Sequence, residues 1–186
     1  QFNLKNIKIP VIIVLLMTII TFTRIPAYAN RFIFWEDAIE GSPNLPHVCL
    51  NLGKMYEEIG QYRKAIAAYE AGLKRNSKYA MLNNNIGGAY LYLKDYPNAE
   101  QALKQELKFH PYNCCAAYNL GLAYKFTGRI EEAVKMWEQT LVINPHYMYS
   151  YQQLAEYYKQ IQDTSKYMFY SDKMNEKLKE STGINK

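Results

Sequence analysis

Cysteine is scarce in this 186-residue sequence: Cys49, Cys114 and Cys115 are all there is. An odd count without a CxxC pair excludes a disulfide framework. His47, His110 and His146 stand at no zinc-ligand spacing to the thiols, which excludes the common zinc modules. Adjacent Cys114 and Cys115 fit disulfide geometry poorly, so the three thiols read as small buried hydrophobes. Catalytic motifs are also missing: there is no nucleophile elbow, phosphate loop, HExxH or paired-carboxylate pattern. Gly87-Gly88 is not followed by Lys-Ser/Thr, and Glu36, Asp37 and Glu40 have no partner cluster that would make a metal site. Neither a catalytic residue nor a cofactor is expected. No run of Lys/Arg alternates with aromatics, and the net charge of +5 is spread among interleaved acids and bases, which excludes a nucleic-acid footprint. Long apolar runs are limited to one, at the N-terminus.

What the chain does have is hydrophobic residues, at 49%, and a middle rich in Ala, Leu, Lys, Glu and Tyr, the composition of packed helices. It also has a period. Gly53, Gly87 and Gly121 are 34 residues apart, within the phrases Leu52-Gly53-Lys54-Met55-Tyr56, Ile86-Gly87-Gly88-Ala89-Tyr90 and Leu120-Gly121-Leu122-Ala123-Tyr124. Ala65, Ala99 and Ala133 keep step, then Tyr69, Leu103 and Trp137, then Leu73, Leu107 and Leu141; Ser77, Pro111 and Pro145 close the units. Small residues let two antiparallel helices approach, large ones fill the space to the next unit, and proline stops a helix. One such unit cannot bury its own face, so neighbours stack.

This pattern resembles the tetratricopeptide-repeat (TPR) family, over about Pro46 to Tyr147. It departs at the first signature position, where Cys49, Asn83 and Ala117 replace a large aromatic, and at Lys94, which replaces the turn glycine that Gly60 and Gly128 supply. The resemblance implies an all-α TPR solenoid of antiparallel helix pairs. The expected organisation is a membrane anchor or signal peptide over 1–29 and a capping half-repeat over 30–45. Three repeats follow over 46–79, 80–113 and 114–147, then a degenerate fourth repeat with a C-terminal cap over 148–186.

The apolar run Ile9–Phe22 is short for a spanning helix, which needs about 20 residues, but Ile7 and the stretch Ile25–Tyr28 extend it. The favoured expectation is an N-terminal transmembrane helix that meets the lipid bilayer through residues 7–28. A cleaved signal peptide ending at Ala27-Tyr28-Ala29 and a buried core helix are the alternatives. Lys5 and Lys8 before the run place the N-terminus in the cytoplasm and the repeats on the extracytoplasmic, periplasmic side.

In the TPR family the first helix of each repeat lines a concave groove. Carried over to this sequence, that face holds Asn51, Asn85, Asn119 and Gln153 at one repeat position. This set is similar to the asparagine ladder of the O-GlcNAc transferase and kinesin light chain repeats, where amides hold an extended peptide. The same asparagine is also common in the family with no ligand to hold. Asn84, Tyr92, Tyr118, Phe126, Tyr149 and Lys159 complete the candidate groove. Met81, Leu91 and Leu122 share its face, with Glu57 and Glu58 toward one end and Lys125 toward the other. The Lys/Arg set of a carboxylate clamp is absent, so an acidic C-terminal tail is not the expected ligand.

The stretch Arg24–Asn44 resembles the junction before the repeats in bacterial relatives of the transmembrane-and-TPR O-mannosyltransferases, with Phe34-Trp35-Glu36-Asp37 and Ser42-Pro43-Asn44 as the matching phrases. The leading expectation is therefore a membrane-anchored scaffold that binds a partner protein or extended peptide in the groove and takes part in a larger complex. One alternative is the accessory C-terminal region of a polytopic membrane glycosyltransferase. Another is a structural subunit of a filament or membrane complex.

Overall fold

The computed structural model describes residues 45–182 continuously, together with residues 17, 18, 31, 33–35 and 38. The expected membrane segment therefore lies outside the described residues, apart from helical Met17 and Thr18. So does the capping half-repeat, except for helical Arg31, Ile33, Phe34, Trp35 and Ala38 and for Leu45 at its end. No helix among the described residues is long and apolar enough to cross a membrane.

From residue 45 onward the chain forms eight helices in four antiparallel pairs. They are α1 (Pro46–Glu58) with α2 (Tyr62–Arg75), α3 (Leu82–Tyr92) with α4 (Tyr96–Phe109), α5 (Cys114–Phe126) with α6 (Ile130–Ile143), and α7 (Met148–Gln160) with α8 (Thr164–Thr182). Each second helix packs on the first helix of the next pair, and α3 also packs on α5, so the pairs stack in one direction.

Each turn within a pair uses one device. Gly60, Lys94, Gly128 and Gln162 occupy equivalent places and all have positive φ, at 73, 60, 80 and 59°. The following N–H then reaches back to a tyrosine carbonyl. Gln61 N–H donates to Tyr56 O at 2.8 Å, Asp95 to Tyr90 at 2.9 Å, Arg129 to Tyr124 at 2.9 Å, and Asp163 to Tyr158 at 3.0 Å. This left-handed closure satisfies carbonyls that a helix end leaves open. Lys94 and Gln162 adopt it although a side chain disfavours left-handed backbone. Asp95 and Asn113 cap the starts of α4 and α5 by accepting from the N–H groups of Asn98 and Ala116.

Within the pairs, a Cβ at Gly53, Gly87 or Gly121 would overlap Tyr69, Leu103 or Trp137 of the second helix, so the close approach requires glycine there. Tyr69, Leu103 and Trp137 are fully buried, as are Leu82 and Leu154, which join successive pairs. Cys49 is buried with Arg75 Nη1 donating to its Sγ at 2.6 Å, whereas Cys114 and Cys115 are only half-buried. Over residues 164–180, helix α8 contributes no fully buried residue.

A buried carboxyl occupies a place in the second helix where the other pairs have Gly72, Thr140 and Met174. Glu106 is 0% exposed, and its Oε1 accepts from Met81 N–H and from Asn113 Nδ2, both at 2.9 Å. It thereby fixes the linker into α3, where Met81 has φ 76°, and the cap of α5.

Candidate functional site

The first helices α1, α3 and α5 together line a cavity of about 500 Å³, walled by Glu57, Asn84, Asn85, Gly88, Leu91, Tyr92, Tyr118, Asn119, Leu122 and Phe126. Six of the ten candidate groove residues meet in this space: Asn84, Asn85, Asn119, Tyr92, Tyr118 and Phe126. Asn51, Gln153, Tyr149 and Lys159 do not line it. Tyr149 lies next door, its ring 6.0 Å from that of Tyr118. Gln153 Oε1 accepts from Lys125 Nζ at 2.8 Å, and Lys159 Nζ lies 6.0 Å from the Tyr167 ring centre.

The amides do not stand apart as separate rungs. Asn119 Nδ2 donates to Asn84 Oδ1 at 3.2 Å, and Asn84 Nδ2 donates to Asn85 Oδ1 at 3.1 Å. The chain of amides thus crosses from α5 to α3 and ends on Asn85, whose Nδ2 is buried without a hydrogen-bond partner. Tyr69 Oη lies in the same neighbourhood, also buried without a partner in hydrogen-bonding geometry. Burial, then the Glu57 carboxyl, push that phenol far above its ordinary range. Burial likewise pushes the Glu57 carboxyl up, against the opposing pull of Tyr69 and Lys54.

The aromatic walls are held from behind. Tyr62 stacks on Tyr92 with ring centres 4.7 Å apart and planes at 6°, and Tyr96 stacks on Phe126 at 5.2 Å and 18°. In each case the first residue of one second helix supports the last turn of the next first helix. Tyr92 is still 71% exposed and Phe126 56%. Burial and then Tyr149 push the Tyr118 hydroxyl up, so this wall stays a neutral hydrogen-bonding ring. Such a surface offers flat apolar faces, amide donors and acceptors, and a single carboxyl. It suits an extended polypeptide, whose main chain alternates carbonyls and N–H groups.

Two tetratricopeptide-repeat family models match the chain, at residues 50–113 and 116–147. The chain belongs to the tetratricopeptide-repeat family. Among curated relatives, human protein O-mannosyl-transferase TMTC2 is 31% identical over 101 residues, which span 52% of this chain and 12% of the relative. Among solved structures, MamA superposes with a TM-score of 0.76 at 23% identity, covering 84% of this chain and 92% of that one. The first TPR of Spaghetti (RPAP3) bound to the HSP90 peptide SRMEEVD superposes with a TM-score of 0.60 at 24% identity, covering 63% and 93%. These likenesses give the TPR solenoid, and the chain spans only about an eighth of the length of the mannosyl-transferase it matches.

The sequence reading passed over two features of this TPR groove. Gly88 sits in mid-helix, where a Cβ would meet nothing within 4 Å. Its neighbour Gly87 carried the whole repeat signal and masked it. Tyr69 was visible only as a core residue, because its buried hydroxyl lies behind the groove residues Glu57 and Asn85, on the second helix.

Proposed function

We propose that this TPR protein is an interaction scaffold that holds an extended segment of a partner protein along the groove of α1, α3 and α5. The observation that carries the reading is the convergence of the Asn119–Asn84–Asn85 amide chain with the exposed rings of Tyr92, Tyr118 and Phe126 in one cavity. The peptide main chain bonds to the amides, and its side chains lie on the rings. The peptide complex of the Spaghetti TPR is a precedent for the mode of binding, in a repeat array of similar fold. In the test, a photo-crosslinking residue replaces Tyr118 in the groove, and in a control it replaces exposed Lys74 on α2. Partner adducts should form from position 118 and disappear when Asn85→Ala and Asn119→Ala are added. Equal labelling from both positions would sink the reading.

The apolar run at residues 9–22 supports a further part of the proposal, that the scaffold is anchored in a membrane with its repeats on the extracytoplasmic side. Detergent-dependent extraction of a chain whose intact mass includes residues 1–29 is the expected result. A freely soluble chain beginning at Asn30 would reduce the proposal to a soluble adaptor.

A second reading is favoured by the identity to the O-mannosyl-transferase. Here the repeats are the accessory region of a larger membrane glycosyltransferase and present acceptor protein to it. The mass of the endogenous polypeptide separates the two: only this reading requires one several times larger than 21.8 kDa.

A further inference from the structure

Three successive junctions in the groove place equivalent residues opposite one another. At the last, Lys125 on α5 reaches across to α7, where its Nζ donates to Gln153 Oε1 at 2.8 Å and pairs with Glu156 at 3.4 Å. At the middle one, Leu91 takes the place of Lys125 and faces Asn119 and Leu122, an apolar match. At the first, Glu57 stands where Lys125 does, and the places of Gln153 and Glu156 are taken by Asn85 and Gly88.

Glu57 therefore has the charge of an ion pair without the pair. Among the described residues it forms no salt bridge; the Tyr69 hydroxyl acts on it first, and then the one cation Lys54, one turn back on its own helix. Burial disfavours its charged form, which an incoming cation would reverse. Opposite it, Gly88 leaves space: a Cβ there would touch nothing. Glycine inside a helix costs about 0.5–1 kcal/mol relative to alanine, and packing does not require it here. The corner between Glu57 and Gly88 is thus open and without a cation, in a cavity that the Tyr92 and Tyr118 rings also line. The cavity lining contains no Lys or Arg.

We infer that this corner receives the guanidinium of an arginine carried by the bound segment, so that the groove selects extended peptides with a basic side chain at that place. The inference rests on the groove-binding reading above. An arginine satisfies the corner on each count. Its planar head lies flat on an aromatic face, it is more weakly hydrated than an ammonium, and its several donors reach a carboxylate and an amide oxygen together. Its length fills the space that Gly88 leaves. The acidic residues of the SRMEEVD peptide would meet Glu57 with like charge.

The test uses the full chain in detergent and fluorescent peptide pools with randomised flanks and a fixed centre of Arg, Lys, Gln or Glu, read by polarisation. The Arg pool should bind about tenfold more tightly than the Gln pool, as expected for a charge-assisted hydrogen bond, with Lys between them and Glu weakest. Glu57→Gln should abolish the Arg-over-Gln preference, so that the Arg pool binds no more tightly than the Gln pool. Gly88→Ala should weaken Arg-pool binding while raising thermal stability, an opposition that misfolding cannot produce. If Arg and Gln pools bind the groove alike, or Glu57→Gln keeps the preference, the arginine corner is overturned and groove binding stands. If no pool binds, both fall.

Discussion

A Cβ on Gly87 would run into the Leu103 side chain, whereas one on Gly88 would meet nothing. Two adjacent glycines in α3 therefore predict opposite stability changes. Gly87→Ala forces helices apart and should cost about 1–3 kcal/mol. Gly88→Ala removes backbone freedom from the unfolded chain and should add about 0.5–1 kcal/mol. Denaturant midpoints measure both, and a shared sign would contradict the packing described. Glu57 provides a pH test at the same scale. Burial raises its folded-state pKa above the ordinary 4.5. The folded protein then binds the proton more tightly than the unfolded chain does. The associated stability is complete below pH 4.5 and is lost as pH rises through the folded value. Glu57→Gln removes this loss, so the variant should gain on the wild type as pH rises from 4 to 8. A gap that shrinks over that range would reverse the assigned cause.

Between residue and molecule lie the turns and linkers that set one helix against the next. Lys94 and Gln162 hold left-handed backbone at the places where Gly60 and Gly128 stand. Replacing each by glycine should stabilise the protein by up to about 1 kcal/mol, the cost a side chain adds in that conformation, as followed by thermal unfolding. No gain would mean that the side chains make compensating contacts. Glu106 acts on two linkers at once, through Met81 N–H and Asn113 Nδ2. Glu106→Ala should cost about 1–3 kcal/mol by stranding both donors, and Glu106→Gln, which keeps an acceptor oxygen, should cost less. Equal losses would deny the hydrogen bonds their role. The helix pairs were legible in sequence because Gly53, Gly87 and Gly121 must be small and Tyr69, Leu103 and Trp137 must be large, and these constraints recur at a fixed period. Glu106 was not legible. Its equivalents are Gly72, Thr140 and Met174, and one of its partners lies 25 residues away on a backbone N–H, which leaves no mark on side-chain choice. The groove falls between these cases. The asparagines were read from their position, but Asn119 bonds to Asn84 and not to its periodic counterpart Asn85. That offset arises from the way α5 is set against α3, which no single repeat contains.

At the scale of the whole molecule, a stack of repeats draws its stability from each unit and from its interfaces with neighbours, so position in the stack matters as much as composition. Helix α5 has a pair on either side and buries Ala116, Ala117, Leu120, Ala123 and Tyr124. Helix α8 has a first helix on one side only. Over residues 164–180 it buries no residue fully, and Met168, Phe169 and Leu178 remain half-exposed. Its ties to the stack are local: Tyr170 Oη donates to Glu138 at 3.0 Å and stacks on Tyr158 with ring centres 5.5 Å apart. Opening α8 therefore exposes little apolar surface, while opening α5 breaks two interfaces at once, and local opening energies scale with what is exposed. Native-state hydrogen exchange should show α8 amides exchanging through local fraying well before global unfolding, and α5 amides exchanging only with it. Tyr170→Phe should speed exchange in α8 and leave α5 unchanged, since the lost bond joins α8 to α6 alone. Matching rates in α5 and α8, or a Tyr170→Phe effect spread evenly along the chain, would mean that the four pairs unfold as one unit and that the end of the stack is as firmly held as its middle.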